Sequence, residues 1–200
     1  MARLKSFDEQ RALDRAVDCF WRRGYQATSV RELAGTMGIG GTSLYNAYGD
    51  KRALFVRCLA RYANRSSRER MARMEEQHAP KQAVRAFLGE IIERSLKDPD
   101  GKGCLLVNSA LDVAPHDADI AAAVAGHLGE IREFFRRNIE AARRSGDVPK
   151  TADADALSGH LLGVVMGIRV LARISRDRDL MEDIARPALA LLDSPRSRLQ

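Results

Sequence analysis

Three cysteines are the most reactive side chains of this 200-residue chain, and Cys104 stands in the setting that most favours chemistry. It follows a Gly-Lys-Gly break at 101–103 and opens the apolar stretch CLLVNSA. A thiol at the start of a helix can have its pKa lowered by the helix dipole, which makes the sulfur more nucleophilic. A free cysteine is also a common packing residue of a core. Two interpretations of Cys104 therefore stay open: a reactive thiol and a small buried side chain.

Side chains of the common catalytic and metal sites are present, but they lack the spacing that those sites need. The serines show no G-x-S-x-G elbow, and the glycine run at 38–41 does not end in the GK[ST] of a phosphate loop. The aspartates between 98 and 119 lack the spacing of a calcium loop, and the cysteines form no CxxC pair. No HExxH pattern joins the histidines, which are His78, His116, His127 and His160. The sequence thus predicts no enzyme, no cofactor and no metal site.

The net charge is concentrated at one end of the chain. The first 65 residues hold 12 basic and 6 acidic side chains, and their net charge of +6 equals that of the whole chain. This asymmetry favours a polyanion-binding module joined to a neutral body. A solvated basic face without a partner would give the same composition.

We expect neither a secretory signal nor a membrane span. The first 20 residues carry a charge every few positions and contain no apolar h-region. The longest apolar run, at 161–168, is far shorter than the roughly 20 residues that cross a bilayer. An odd number of cysteines without a CxxC pair is typical of a reducing compartment. These features predict a soluble, cytoplasmic protein with no membrane partner.

Hydrophobic spacing is helical along nearly the whole chain and predicts an all-α protein of about nine helices. Gly24 ends the first helix, and Ser29 and Glu32 have the capping-box spacing that opens a second helix at about 29–37. Asp50 is placed to cap a helix that begins at Lys51. Further helices are predicted at about 42–47, 80–99, 104–111, 120–145, 153–174 and 179–192, the last containing Pro187.

The first three helices form a helix-turn-helix pattern. The second and third are short, and glycines in the turn between them permit positive φ values. A helix as short as the third fits into the major groove while its partner crosses the phosphate backbone. The pattern therefore favours double-stranded DNA as the polyanion.

Residues 12–54 carry a more specific signal than the helix pattern. The motifs are F-x-x-x-G-Y-x-x-T-S-V from Phe20, L-A-x-x-x-G-I from Leu33 and S-L-Y-N-A-Y-G-D-K from Ser43. The stretch closely resembles the DNA-binding domain of the TetR family of bacterial transcriptional repressors. This resemblance implies an N-terminal helix-turn-helix domain at 1–50 and a ligand-binding and dimerisation domain at 51–200, with a connecting helix at 51–65. It also implies a homodimer on a palindromic operator.

The resemblance assigns roles to individual residues of the N-terminal domain. Leu44 would anchor the recognition helix in the core, and Gly40 departs from the family pattern, in which many members have a capping Ser. Without that cap we expect the recognition helix to be less stable but to keep its function. The implied base contacts are Thr42, Ser43 and Asn46, with Gly41 allowing close backbone approach. The implied phosphate contacts are Tyr45, Lys51, Thr28 and Ser29, and Arg31 reaches either a base or the backbone.

The body is predicted to hold an effector site. Cys104 lies in a G-C-L context similar to that of electrophile-, oxidant- or copper-responsive TetR-like repressors. The other candidates for this site are Asn108, His127, Phe134, Met166 and Arg169. Core packing is the alternative interpretation for these residues, and an ion pair is a further alternative for Arg169.

Three glycines mark one face of the eighth predicted helix. Gly159, Gly163 and Gly167 recur every four residues, and such a groove allows close helix approach. We expect a second subunit or a neighbouring helix to pack there.

Together these features predict a repressor that leaves its operator when a small effector binds or when Cys104 is modified. The alternative is a helical architectural or interaction protein that has the same fold but no effector. Ligand-dependent loss of specific DNA binding separates the two.

Overall fold

The first three helices surround one small core. A computed structural model describes residues 8–193, in which α1 is Glu9–Arg23, α2 is Val30–Met37 and α3 is Gly41–Tyr48. Gly24 ends α1 with a φ of 80°, and Ser29 and Glu32 close the expected capping box at the start of α2. The predicted helix-turn-helix arrangement is confirmed.

The fourth helix, α4, is longer than the sequence predicts. It consists of Lys51–Ala63, a π-helical turn at Asn64–Arg68, and Glu69–Gln77. Its start is capped as expected, since the Asp50 carboxylate accepts a 2.7 Å hydrogen bond from the Ala53 N–H. A connecting helix at 51–65 is therefore too short. No glycine or proline interrupts the segment before residue 80, so the change in hydrophobic spacing near 65 is absorbed as a π turn and not as a break.

Five further helices form the body. They are α5, Pro80–Leu96; α6, Leu105–Asp112; α7, Ala118–Ser145; α8, Ala154–Leu171; and α9, Arg178–Ala190, with a single 3₁₀ turn at Ala114–His116. Pro187 lies inside α9 as expected. With α4 counted as one helix, residues 8–193 contain nine helices and no strand, which confirms the all-α class.

Two apolar cores hold the helices together. The core of α1–α4 continues onto the body through Leu105 in α6 and Ile120 in α7. The body core is centred on aromatic rings, with the Phe87 and Phe134 centroids 5.0 Å apart. The N-terminal helices thus rest directly on α6 and α7.

α8 is apolar enough to resemble a membrane span. Its 18 residues have a mean hydropathy of 1.4, and it is the one helix in residues 8–193 that is long and apolar enough to cross a bilayer. Leu161, Val165 and Ile168 of this helix lie in the body core. A helix that is covered on more than one side needs this composition.

An ion pair ties the start of α4 to the start of α7. Nε of Arg52 lies 2.5 Å from Oδ2 of Asp117, and Nη2 of Arg52 lies 2.5 Å from Oδ2 of Asp119. Asp117 also caps α7 by accepting hydrogen bonds from the N–H groups of Asp119 and Ile120. Arg52 and these N–H groups lower the pKa of Asp117 to about 2. A charge-assisted contact therefore links the N-terminal helices to the body.

Replacing Asp117 by asparagine is expected to flatten the acid limb of the stability profile. The lowered pKa means that Asp117 stabilises the fold above its unfolded value of 3.8, and that this contribution is lost as the pH falls toward about 2. Asparagine still caps a helix but cannot titrate. Denaturant unfolding at a series of acid pH values measures the effect. Asp112→Asn, at an exposed position, is the control, and a D117N profile as steep as that of the wild type would contradict the assignment.

Candidate DNA-binding surface and effector cavity

α3 presents a polar face to solvent and is anchored by its opposite face. Leu44 is fully buried and Tyr48 is 4% exposed, so both hold the helix against the core. The predicted contact residues of α3 are all exposed; they are Gly41, Thr42, Ser43, Tyr45 and Asn46. Hydroxyl and amide groups thus share one accessible surface, the chemistry that base edges and phosphates require. We call these five residues the recognition face.

The turn before α3 sets how this face is presented. Gly38 has a φ of 73°, in the left-handed region that favours glycine. Gly40 caps α3 without a side-chain hydrogen bond, as its departure from the family pattern implied. A Cβ added to Gly41 would meet no atom within 4 Å, so the backbone there is open to a ligand. Arg31 is exposed on α2, on the other side of the turn.

Two predicted phosphate contacts are used inside the protein instead. Thr28 is 1% exposed and its hydroxyl donates to the Gly24 carbonyl at 2.7 Å, so the prediction for its side chain is wrong. Ser29 is exposed, but its hydroxyl donates to Glu32 and accepts from the Glu32 N–H. The Ser29 N–H also donates to Glu32, at 2.9 Å. Thr28 therefore fixes the turn after α1, and Ser29 fixes the start of α2, where an unpaired N–H would need another partner.

Lys51 lies at the first position of α4. Its Nζ is 4.3 Å from the centroid of the Tyr25 ring, a cation–π contact that orients the side chain. Partial burial lowers the pKa of Lys51. A cation held at a helix N-terminus is suited to a phosphate, since the free N–H groups there favour the same anion.

A cavity of about 510 Å³ lies where the N-terminal helices meet the body. This volume is within the range of about 300–1,000 Å³ typical of small-molecule sites. Residues of α1, α4, α5, α6, α7 and α8 contribute to its wall. Its apolar surface includes Trp21, Phe87, Ile91, Leu106, Ile131 and Val165. Cys104 and Arg169 are the predicted effector residues that line it.

Cys104 is the N-cap residue of α6 and is partly exposed, whereas Cys19 and Cys58 are buried. Burial raises the pKa of the Cys58 thiol, which keeps that sulfur protonated. Tyr62 of α4 lies beside Cys104, and burial together with this neighbour raises the pKa of the phenol. Of the three thiols, Cys104 is the one that faces the cavity.

Two polar candidates for the effector site lie outside the cavity wall. Asn108 braces the loop before α6, because its amide donates to the Lys102 carbonyl at 2.9 Å. His127 lies with its Nδ1 3.7 Å from Oε1 of Glu130, and burial lowers its pKa. Neither residue lines this cavity, and an effector contact for them stays a prediction.

Phe134 and Met166 are also absent from the cavity wall. Phe134 is fully buried in the aromatic cluster with Phe87 and Phe135. Met166 is half-buried on α8. Phe134 has the packing role that was the alternative interpretation, and an effector contact for Met166 stays a prediction. The helical period could not separate the core side of α7 and α8 from the cavity side.

Among the described residues, the glycine face of α8 is not covered by another helix. Gly159 and Gly163 are exposed, and a Cβ added to Gly163 or Gly167 would meet no atom within 4 Å. Farther along the helix, Val170 is 40% exposed. Among residues 8–193, no neighbouring helix fills the predicted groove. A second subunit therefore remains the prediction for this face.

Comparisons with known proteins agree with this geometry along nearly the whole chain. Residues 12–58 match the model described as bacterial regulatory proteins, tetR family, and residues 80–188 match the model described as tetracyclin repressor-like, C-terminal domain. The chain is 30% identical over 195 residues to the uncharacterized HTH-type transcriptional regulator YezE of Bacillus subtilis (strain 168), covering 96% of this chain and 100% of the relative. It is 26% identical to the HTH-type transcriptional repressor ComR of Escherichia coli (strain K12), covering 94% and 90%.

The chain belongs to the TetR family. Among solved structures, it is similar to a cysteine mutant of the TetR family transcriptional regulator CifR complexed with 26bp double-strand operator DNA, at 31% identity and a TM-score of 0.83. That match covers 94% of this chain and 98% of the other. A second CifR cysteine mutant with operator DNA matches at 30% identity and a TM-score of 0.84.

Most of the cavity wall of this TetR-family regulator was not foreseen from its sequence. Trp21, Arg61 and Asp98 come from different elements and lie far apart in the chain. In its own stretch of sequence, each of these residues has the pattern of an ordinary helix or loop residue. A partial signal was the density of Arg and Ser in RSSR at 65–68, where the π turn lies. π turns within helices are frequent at functional sites.

Proposed function

We propose that this TetR-family regulator is a homodimeric repressor that binds a palindromic operator and is released by a small effector in the cavity or by modification of Cys104. The recognition face carries the proposal, because five accessible positions of α3 stand on a buried anchor, Leu44. Support comes from CifR, whose cysteine mutants are complexed with operator DNA, and from the repressor ComR. The protein acts in the cytoplasm, where its DNA lies, and has no catalytic role.

The dimer is proposed to form through the glycine face of α8. A face without a covering helix, continued by the exposed Val170 and Ile174, is suited to a copy of itself. Two-fold symmetry then places one recognition face in each half of a palindrome. The proposed domains are a DNA-binding domain at 1–50 and a ligand-binding and dimerisation domain at 51–200.

α4 is proposed to carry the signal between the two domains. Its first residue is Lys51, beside the recognition face, and its later residues Arg61, Tyr62 and Arg65 line the cavity. An effector that displaces these side chains tilts α4 and changes the distance between the two recognition faces. Half-sites lie about one helical turn of DNA apart, so only one distance fits.

The spacing of the half-sites tests the proposal. The wild-type protein would first select its site from random duplexes, and about 5 bp, half a helical turn, would then be inserted between the half-sites. We expect the insertion to reduce affinity to that of unrelated DNA. A duplex in which the base pairs between the half-sites are replaced without changing their number is the control. Equal affinity for all three duplexes would contradict a symmetric dimer.

Cys104→Ser is expected to abolish the response to thiol-reactive agents. In the wild type, N-ethylmaleimide is expected to alkylate the sulfur of Cys104, and the bulky adduct in the cavity wall to lower operator affinity by about 5- to 150-fold, the usual range of coupling between sites. The variant retains Cys19 and Cys58, so it controls for reaction at the buried thiols. Gel-shift titrations before and after treatment measure the effect. The same loss in C104S and in the wild type would exclude Cys104 as the sensor.

A further inference from the structure

Arg169 is a buried cation that pairs with no carboxylate in the described part of the chain. Its side chain lies in the cavity wall and the residue is 8% exposed. Nη1 donates to the Ser95 hydroxyl at 3.0 Å, and Nη2 donates to the Gly103 carbonyl at 2.5 Å. No Asp or Glu oxygen among residues 8–193 lies within 4.0 Å of its guanidinium nitrogens. Both partners are neutral groups, so the charge is not compensated.

The contrast with a second buried arginine shows what is missing. Arg70 is 5% exposed and also lines the cavity, but its Nε lies 3.0 Å from Oε1 of Glu90. Buried charges in proteins are normally paired, because removing a lone ion from water costs several kcal/mol even after relaxation. A guanidinium also has five N–H donors, of which Arg169 uses two on protein atoms. The free donors of Arg169 are therefore available to an anion in the cavity.

Positive side chains outnumber carboxylates in the wall around Arg169. Seven Arg and Lys side chains, Arg169 included, and three carboxylates line the cavity. Arg65 is paired with Asp14 at 2.8 Å and Lys102 with Asp18 at 3.7 Å, whereas Arg169 has no such pair among the described residues. An anion that enters the cavity thus meets a net positive wall.

Two unsatisfied polar atoms add detail to the wall. Nε1 of Trp21 is a buried donor and Oδ1 of Asp98 is a buried acceptor, and neither has a hydrogen-bond partner among the described residues. Both residues line the cavity. Such atoms are costly unless something binds them. A ligand with an acceptor and a donor besides its charge satisfies both.

We infer that the cavity binds a small organic acid, whose anionic group pairs with Arg169 and whose apolar body packs against Phe87, Ile91 and Val165. This inference rests on the proposed function, since it names the chemical class of the effector. Arginine donates parallel N–H hydrogen bonds to the oxygens of a carboxylate or sulfonate. Neither a neutral nor a cationic ligand offers arginine such a pair of charged acceptors. The apolar wall supplies affinity, and Arg169 supplies selectivity for the charge.

Two fluorescent probes that differ only in charge test the inference. 1-Anilinonaphthalene-8-sulfonate is an anion, and N-phenyl-1-naphthylamine is the same body without the sulfonate. We expect the wild type to bind the anion more tightly by about tenfold or more, the effect of a hydrogen bond to a charged group. Trp21, the single tryptophan, lies in the cavity wall, so energy transfer from it locates the bound probe. Equal affinity for the two probes, or binding of the anion without energy transfer, would overturn the inference.

Variants at Arg169 assign the selectivity. Arg169→Met is expected to lower the affinity for the anionic probe by about tenfold and to leave the affinity for the neutral probe unchanged. Arg169→Gln retains an amide donor for the Gly103 carbonyl, and it provides a folded variant if the methionine variant fails to fold. Arg144→Met, at an exposed residue outside the cavity, is the matched control. If Arg169 serves only to brace the Gly103 loop, a folded variant keeps the charge preference, which contradicts the inference.

Operator binding separates this inference from the function on which it rests. The wild type is measured for both properties: affinity for the selected operator without any probe, and preference between the two probes. A wild type that prefers the anionic probe but no DNA duplex would contradict the repressor alone. A wild type that binds its operator but shows no charge preference would contradict the organic acid alone.

Discussion

Gly163→Arg is expected to give a folded monomer that has lost specific operator binding. A Cβ at this position meets no atom within 4 Å among the described residues, and the rest of an arginine side chain would extend into the groove in which we propose that a second α8 packs. A monomer reaches one half-site, and we expect its affinity to fall toward the non-specific level, about 10³-fold or more below that of the dimer. Sedimentation equilibrium measures the association state, and gel-shift titration measures the affinity.

A matched substitution separates the interface from the helix itself. Gly89 is likewise an exposed glycine inside a helix, and a Cβ there meets no atom within 4 Å. Gly89→Arg in α5 is therefore expected to remain a dimer with wild-type affinity. Replacing a helical glycine removes backbone freedom in both variants, so a loss of stability is not expected in either. A G163R protein that stays dimeric would show that the interface lies elsewhere.

Asn46→Ala and Lys51→Ala are expected to weaken DNA binding in different ways. Asn46 is exposed on the recognition face, and loss of a base contact costs about 1–3 kcal/mol at one position of the site and relaxes the preference there. Loss of the Lys51 charge weakens all duplexes alike and reduces the slope of log affinity against log salt by about one unit. Competition binding with single-base variants of the site, repeated at several salt concentrations, measures both effects.

A control for this pair comes from the neighbouring helix. Thr36→Ala, on an exposed position of α2 outside the recognition face, is expected to bind as the wild type does. Asn46 and Lys51 do not belong to the apolar core, so the thermal stability of the Asn46→Ala and Lys51→Ala variants should stay close to that of the wild type. If Lys51→Ala altered the sequence preference and left the salt slope unchanged, the two roles would have to be reassigned.

Local sequence signals predicted the elements whose physics is local. Gly24 ends α1, Asp50 caps α4 and the Ser29–Glu32 box opens α2, because each cap depends on side chains within a few residues. The residues of the recognition face were assigned through the family resemblance, and their exposure beside the buried Leu44 agrees with that assignment. The length of α4 was not, because a π turn replaced the expected break.

The cavity is formed by tertiary packing, and little of its wall could be predicted from the sequence. Arg169 and Cys104 were named as candidates, but their shared cavity with Trp21 and Asp98 follows from helices that meet only in the folded chain. Thr28 shows the converse error. Its motif position implied a phosphate contact, whereas its hydroxyl is used by the Gly24 carbonyl. A family motif can preserve a structural hydrogen bond as readily as a ligand contact.

Selection from random duplexes tests the central claim most directly. The wild-type protein, free of small molecules, would be equilibrated with a pool of random duplexes at low salt, and the bound sequences would be read. The account predicts an enriched site with two-fold symmetry, bound about 10³-fold or more above unrelated DNA at physiological salt. Retention of the pool without any enriched sequence would contradict the assignment of α3 as a reader of DNA.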